Sequence, residues 1–326
     1  MSRSTLLPLL ASGDFRSGQE LAEQLGVSRT AVWKQVNRLV EESGLPIESV
    51  KGKGYRIAGG VDLLEAPLVT AAMSPQSRHL LDRLEVLDTI DSTNAEVMRR
   101  AEAGCAPGLV CTAEQQTAGR GRRGRQWVSP YAGNLYLSLL WEFGQGAAAL
   151  EGLSLAVGVA VARGLEQLAL PTVQLKWPND ILYRGEKLGG ILIEMNGDVD
   201  GACRVVIGIG INVSMPAAAA VAIDQAWTDI RSSAVGQVPT RNRLLAALLD
   251  QLLPLLAGFE DTGFSRWRED WLAFDAFADA EVVLHSGTTT LAGIARGVDD
   301  RGALQLQTTT GIQSVYGGEI SLRAAS

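Results

Sequence analysis

Between Gln115 and Trp127 the chain carries no acidic side chain, and Gly119-Arg120-Gly121-Arg122-Arg123-Gly124-Arg125-Gln126-Trp127 packs four arginines and three glycines into nine residues. Glycine lets a backbone reach positive φ and approach a ligand closely. Arginine supplies fixed planar donors matched to phosphate and carboxylate. A terminal tryptophan can lie against a ring. The stretch therefore reads as a loop that closes over a phosphorylated small molecule, and the flanking elements must hold it there. Its charge runs against a chain whose net charge is −7. The same letters satisfy G-x-G-x-x-G at 119, 121 and 124. A dinucleotide fingerprint, however, follows a strand directly and opens an apolar helix. Here Glu114 to Ala118 intervene, and arginines stand where helix-packing residues belong. The plainest competing reading is a solvated basic turn.

The first sixty residues differ in charge from the rest, with eight Lys/Arg and six Asp/Glu, a net of +2. Ser17 to Glu20 forms a capping box, which predicts a helix over Glu20–Leu25. Gly26-Val27 makes a turn, and Ser28 caps a second helix to about Glu42. Val32, Val36, Leu39 and Val40 recur at helical spacing and should face a core. Arg29, Thr30, Lys34, Asn37 and Arg38 fall on the other sides. Two short strands, Ile47–Val50 and Tyr55–Ile57, flank Lys51-Gly52-Lys53-Gly54. This is the pattern of a winged helix-turn-helix. Its basic side chains suit phosphate neutralisation on DNA. Ser28, Arg29, Thr30, Lys34, Arg38, Lys51 and Lys53 are the candidate DNA contacts.

After Gly59-Gly60, a connecting helix is predicted over Leu63–Met73, with Pro67 in its first turn. Leu84–Ile90 is a strand. Asp91-Ser92-Thr93-Asn94 follows, with Thr93 and Glu96 as a second capping box and a helix to about Ala103. Strands are predicted at Leu109–Ala113, Asn134–Phe143, Val173–Trp177, Ile181–Tyr183, Ile191–Met195 and Arg204–Ile207. A buried helix runs from Leu153 to Leu170. The Ala-rich residues 214–226 read as a mobile loop. Amphipathic helices cover Arg241–Leu256 and Gly263–Phe274. Five short strands then follow: Glu281–His285, Thr288–Arg296, Ala303–Gln307, Ile312–Tyr316 and Glu319–Arg323. They suggest a small SH3-like β-barrel. The expected fold class is α+β and multidomain. Its parts are a winged helix-turn-helix over 1–60, a central mixed-sheet α/β domain over 61–274 and an SH3-like barrel over 275–326.

Composition excludes several classes. No apolar run is long enough to cross a bilayer, and no cleavage-site pattern follows the start, so a cytoplasmic protein is expected. The three cysteines form no C-x-x-C pair and read as reduced, mostly buried thiols. The two histidines lie outside the polar motifs, which argues against histidine-based catalysis.

Three motifs agree with one another: the arginine loop, Lys176-Trp177-Pro178-Asn179-Asp180, and Gly208-Ile209-Gly210-Ile211-Asn212. Together they resemble the biotin–protein ligase family. With a helix-turn-helix in front, the resemblance extends to its bifunctional ligase and repressor branch and covers all three domains. It implies a catalytic domain of class II synthetase type and a two-step reaction. Biotin and ATP give biotinyl-5′-AMP and pyrophosphate, and a lysine of the biotin carboxyl carrier protein of acetyl-CoA carboxylase then displaces AMP. The resemblance also implies repression at an operator DNA through a ligand-promoted homodimer.

By the same resemblance, Arg120 and Arg122 clamp phosphate and intermediate. Lys187 stabilises charge between carboxylate and α-phosphate, and Lys176 is a second phosphate contact. Arg122, Lys187 and Lys176 are thus the catalytic candidates. Asn179 and Asp180 offer oxygens to Mg²⁺ or ATP. Ser92, Thr93 and Gln116 match the neutral ureido ring, with Arg120, Arg122 and Lys187 toward the biotin carboxylate. Gly190, Gly208 and Gly210 permit close approach. Arg125, Trp127 and Asn212 complete the ATP and adenylate set, with Trp127 and Asn212 toward adenine. Plainer readings exist: Trp177 and Pro178 shape a turn, Asp180 caps one, and Lys187 is a solvated turn lysine. The family pattern has charged residues where this chain has Ala217 to Ala220, which bears on ligand-coupled dimerisation. A lipoate or octanoate ligase would need an apolar tunnel in place of the Ser/Thr/Gln cluster. A ligand-sensing repressor without ligase activity would have no use for these cations.

Overall fold

The computed structural model describes residues 3–146, 150–197, 201–234, 236–286, 289–317 and 320–324. Its N-terminal part contains α1 (Arg3–Leu10), α2 (Gly18–Leu25), α3 (Arg29–Ser43), β1 (Ile47–Val50) and β2 (Gly54–Ile57). Ser17 and Ser28 cap α2 and α3 by accepting from the amides of Glu20 and Ala31. Gly26 supplies the left-handed residue between them, at φ 63°. Leu6, Leu7, Leu10, Leu21, Val32, Val36, Leu39 and Ile57 form one small core. Two expectations change here. Helix α1 is additional to the predicted elements, because its apolar residues Leu6, Leu7 and Leu10 are too few to show a period. Val40, expected inside, is exposed; α3 packs along Val32, Val36 and Leu39 and turns Val40 to solvent.

The middle of the chain contains α4 (Ala66–Ala72), α5 (Pro75–Leu80), β3 (Arg83–Ile90), α6 (Thr93–Glu102), β4 (Leu109–Gln116), β5 (Leu135–Phe143), α7 (Leu153–Gln167), β6 (Gln174–Lys176), β7 (Asp180–Tyr183), β8 (Glu186–Gly197) and β9 (Cys203–Ile211). It closes with α8 (Ala217–Ala220), α9 (Ile230–Ser233), α10 (Arg241–Thr262) and α11 (Arg268–Phe274). The strands make a seven-stranded mixed sheet in the order β3-β4-β5-β9-β8-β7-β6, with only β3 and β4 parallel. The expected connecting helix is shorter than predicted, and Ser74-Pro75 starts a second one, α5. The predicted loop 214–226 holds the four-residue helix α8. Alternation along the strands sorts the two faces. Leu135, Leu137, Leu139, Val205, Ile207 and Ile209 join α7 and α10 in the main core. Leu140 and Val206 instead pack with Val97 and Ala101 of α6. Cys111 and Cys203 are buried and Cys105 is half-buried, all as free thiols.

The last part forms β10 (Glu281–Ser286), β11 (Thr289–Val298), β12 (Leu304–Thr308), β13 (Gly311–Val315) and β14 (Ile320–Ala324). They form an antiparallel sheet in the order β13-β12-β11-β10-β14. Among the described residues β13 and β14 do not pair, so the sheet is open at its ends. Thr288 and Glu319, expected to begin two of these strands, lie outside the described residues. Val282, Leu284, Ala295, Leu304, Leu306 and Leu322 share one apolar core with α7 and α10.

A buried ion pair ties the parts together. Arg241, at the start of α10, donates through Nη2 to Glu114 of β4 at 2.7 Å, and through Nη1 to the Asn134 carbonyl at 3.0 Å. Its Nε meets the Asp62 carbonyl at 2.9 Å, and Glu114 also accepts from the Leu64 amide at 2.7 Å. Burial raises the Glu114 carboxyl above its usual range, with Arg241 opposing. Arg241→Ala would leave that carboxylate buried and alone; a loss of about 3–5 kcal/mol is expected in urea unfolding.

Asp275, between the two large sheets, behaves differently. Burial raises its carboxyl to about 6, and one of its oxygens is buried without a partner. Its folded value lies above the unfolded value of about 3.9. The stabilisation from the protonated form is therefore full below the unfolded value and lost as pH rises toward 6. The gain in unfolding free energy from Asp275→Asn should grow by about 2 kcal/mol between pH ~4.5 and pH ~8.

Candidate functional site

The site lies on the α6 face of the large sheet, where glycines leave two adjacent strands without side chains. Val206 points toward α6, so Gly208 and Gly210 two and four residues on point the same way. Gly208 pairs with Ser138 of β5 and Leu192 of β8; Gly210 pairs with Tyr136 and Gly190. A Cβ at Gly208 would stand 2.1 Å from Asn94 Oδ1, and one at Gly210 would stand 2.6 Å from Trp127 Cε2. The resulting cavity has a volume of about 440 Å³.

One end of the cavity is neutral and polar. Ser92 is the N-cap of α6, accepting from the Ala95 amide. The expected Thr93–Glu96 capping box is therefore displaced by one residue. Glu96 instead pairs with Arg99 and Arg100 at 2.7 Å each. Freed from capping, Thr93 gives its amide to Gln116 Oε1 at 2.9 Å, and its Oγ1 lies 3.1 Å from the same oxygen. Gln116 Nε2 donates to Ser129 Oγ at 2.9 Å, and Ser129 donates to the Trp127 carbonyl at 3.0 Å.

The other end is cationic. Arg122 and Gly124 bracket a short 3-10 turn in which Arg123 has φ 60°. The loop is closed by Trp127 N–H to the Gly119 carbonyl at 2.9 Å and Gly121 N–H to the Arg125 carbonyl at 2.7 Å. Arg122 donates to Asn179 Oδ1 at 2.9 Å, and Asn179 Nδ2 to the Ile191 carbonyl at 2.8 Å. Burial pushes the Arg122 guanidinium below its usual value, with Asp180 opposing. A cation so desolvated is stabilised by an incoming anion. Lys187 Nζ is 2.7 Å from Asp180 Oδ1, and Lys176 Nζ is 4.0 Å from Oδ2. The β6–β7 hairpin, with its cis Trp177–Pro178 bond, places Lys176 opposite Asp180.

Most of the expected site residues meet in this cavity: Ser92, Thr93, Gln116, Arg120, Arg122, Arg125, Trp127, Lys176, Asn179, Asp180, Lys187 and Gly190, Gly208 and Gly210. Asn212 stands apart. Its Nδ2 donates to the Thr228 carbonyl at 3.0 Å, and it lines an adjoining space of about 240 Å³ with Ala222, Ile223 and Trp227. Trp127 and Lys187 border both spaces, with Nζ 5.6 Å from the indole centroid. The Trp127 indole nitrogen is buried without a partner. Trp177 does more than shape a turn, since its buried indole donates to the Gly302 carbonyl at 3.2 Å. For Mg²⁺, Asn179 Oδ1 is taken by Arg122, and Asp180 is one carboxylate between two ammonium groups. The described residues contain no group of three or more His, Cys, Asp or Glu side chains placed to hold a metal.

Asn94 belongs to the polar strand-to-helix junction 91–94, which suits a ligand with neutral polar groups, and it lines the cavity; Ser138, Ser129 and Glu194 were not expected from the sequence. Ser138 interrupts the apolar run 135–141 and Glu194 ends the apolar run 191–193, which was the available signal. The sequence reading also missed Phe277 and Leu322, which reach the cavity from the C-terminal part.

Known proteins resemble this chain in sequence along nearly its whole length. The Bifunctional ligase/repressor BirA of Salmonella typhimurium is 40% identical, covering 98% of this chain and 97% of its own. The chain belongs to the biotin protein ligase family. The BirA of Bacillus subtilis is 32% identical, over 96% of this chain and 95% of its own. Three family signatures divide the sequence: an HTH domain at 3–56, the Biotin/lipoate A/B protein ligase family at 86–212, and the Biotin protein ligase C terminal domain at 280–323. The biotin protein ligase from Aquifex aeolicus in complex with biotin and ATP is similar in structure. It has a TM-score of 0.64 and 29% identity, covering 75% of this chain and all of that one. Among the described residues no helix is long and apolar enough to cross a membrane.

Gly210→Ala tests the packing at the site. The new methyl group must displace the Trp127 ring, at a cost of about 1–3 kcal/mol. Acrylamide quenching of tryptophan emission should rise; unchanged quenching would mean the ring does not depend on this glycine.

Proposed function

We infer that this protein is an ATP-dependent biotin–protein ligase that also represses transcription in response to biotin. The observation that carries the ligase half is the single cavity with two chemically different ends. Ser92, Thr93 and Gln116 suit a neutral ureido ring, and Arg122, Lys176 and Lys187 suit a carboxylate meeting a triphosphate. That polarity favours biotin over lipoate or octanoate, whose apolar chains would leave the Thr93–Gln116 cluster unpaired.

In the first step a biotin carboxylate oxygen attacks the α-phosphorus and pyrophosphate leaves. Both partners are anionic, so the cations must hold them in line. Lys187 bridges carboxylate and α-phosphate after exchanging Asp180 for them. Arg120 and Arg122 hold the phosphate and then retain the adenylate. Lys176 and Arg125 take the remaining phosphate charge, and Trp127 and Asn212 flank the adenine. Asp180, with Asn179 beside it, offers Mg²⁺ one carboxylate; the rest of its shell would come from the triphosphate and water. In the second step the ε-amine of a carrier-protein lysine attacks the acyl carbon, AMP leaves, and an amide forms.

The chain is best divided at 1–60, 61–274 and 275–326, with the β1–β2 hairpin as the wing and β10–β14 as an SH3-like unit. The contact set on operator DNA is Ser28, Arg29, Thr30, Lys34, Arg38, Lys51 and Lys53. Ser28 acts there through its cap and Arg38 after leaving Glu42, to which it is paired at 2.7 Å. Ala222, Ile223 and Trp227 beside Asn212 would close over the adenylate and favour a homodimer in the cytoplasm.

The decisive measurement uses ATP labelled at the α-phosphate with biotin, lipoate or octanoate. Biotinyl-adenylate alone is expected; lipoyl- or octanoyl-adenylate would move the protein to the sister enzymes. Lys187→Ala should slow adenylate formation by about 10²–10³-fold. Arg122→Gly should release the adenylate and label bystander lysines. Removing residues 1–60 should abolish operator binding in a footprint.

A further inference from the structure

Buried Thr93, Asn94 and Ser138 link half-buried Gln116 to half-buried Glu194 in one chain of polar groups beside the ligand cavity, and its hydrogens can be counted. Asn94 Nδ2 lies 2.8 Å from Glu194 Oε2 and 3.4 Å from the Leu192 carbonyl. Both partners are acceptors, so the amide nitrogen must face them and Oδ1 must face the other way. Ser138 Oγ lies 2.5 Å from that Oδ1 and 2.8 Å from Thr93 Oγ1, and Thr93 Oγ1 lies 3.1 Å from Gln116 Oε1. These three oxygen–oxygen contacts share two hydroxyl hydrogens, those of Ser138 and Thr93. Gln116 adds none, because the atom it turns toward Thr93 is Oε1, which accepts the Thr93 amide, while Nε2 points to Ser129. The cluster is one donor short. Asn94 and Thr93 both line the cavity.

We propose that Glu194 is a positioning residue that sets the hydrogen-bond polarity of this end of the cavity. As a carboxylate it only accepts, which pins Asn94 with its oxygen toward Ser138. The cluster then presents acceptors to the cavity and takes a ligand bearing N–H donors. This rests on the biotin reading above, whose ureido ring brings two such donors. Glu194 touches no substrate in this scheme. Its other oxygen is 3.5 Å from Arg120, so it also links the donor-poor end of the cavity to the arginine loop. A glutamine at position 194 could present N–H to Asn94. The Asn94 amide would then turn over and offer N–H to Ser138, filling the shortage from within.

The test compares biotin binding by titration calorimetry in the full chain. Glu194→Gln keeps shape and should raise the Kd for biotin by about tenfold, the scale of one mismatched buried hydrogen bond. The paired swap Asn94→Asp with Glu194→Gln restores an acceptor-only group facing Ser138, and the new side-chain amide at position 194 donates to it. Binding should return to within about threefold of the parent. Both variants lose the Arg120 pair, so recovery in the swap separates polarity from that charge. Unchanged binding in Glu194→Gln, or a swap no better than the single change, overturns the proposal. Thermal melts check that each variant folds; if the swap does not, the biotin Kd of Glu194→Gln against that of Glu194→Asp decides. The aspartate variant is then expected to bind tighter, and equal or weaker binding by it overturns the proposal. Parent protein that forms no biotinyl-adenylate would sink the ligase reading itself, independently of these ratios.

Discussion

Three glycines remove the side chains from part of one face of two neighbouring strands, and the site occupies the space this leaves. Gly190 of β8 faces Gly210 of β9 on one rung, and Gly208 faces Leu192 two residues along. Their opposite faces carry Ile191, Ile207, Ile209 and Ile211 into the main core. One strand segment thus does two jobs, because alternate residues see different surroundings. The apolar side anchors the strands against α7 and α10. The bare side admits Asn94 and Trp127 close to the backbone, and any larger residue would meet them before a ligand could.

Polar bonds hold the groups around this trench. The arginine loop is tied at its base by Trp127 to Gly119, and again through Ser129 and Gln116 to Thr93. Arg122 is held by Asn179 on the far side. Below, Glu114 and Arg241 fix β4, α10 and residues 62–64 in one cluster. Such a pair contributes modestly to stability, since burying two charges costs nearly what their attraction returns. Its consequence is positional. Glu114 also accepts the Ala132 amide through its carbonyl at 2.9 Å, and Tyr131 packs into the N-terminal core. The segment leaving the arginine loop therefore rests on the DNA-binding part of the chain.

The C-terminal sheet is joined to the middle domain by a continuous apolar core and by the Trp177–Gly302 bond. Phe277 and Leu322 then reach the cavity wall. Adenylate chemistry gains from excluding water, and these side chains supply an apolar boundary that the polar loop could not.

The local signals were readable from the sequence because they are local. Capping serines and a helical period marked α2 and α3. Two-residue alternation marked β5, and the density of arginine and glycine marked the loop. Most of the cationic candidates stand in motifs that keep their spacing along the chain, and they line the same cavity as Ser92, Thr93 and Gln116. Other features were decided only by tertiary structure. Glu114 and Arg241 are 127 residues apart, and Asn94 and Glu194 are 100 apart. No window of sequence contains such a pair, so a buried carboxylate and its partner look like two ordinary surface charges until the sheet brings them together. The shift of the α6 cap from Thr93 to Ser92 has the same origin. Either residue could cap, and Gln116 on a neighbouring strand drew Thr93 into the site.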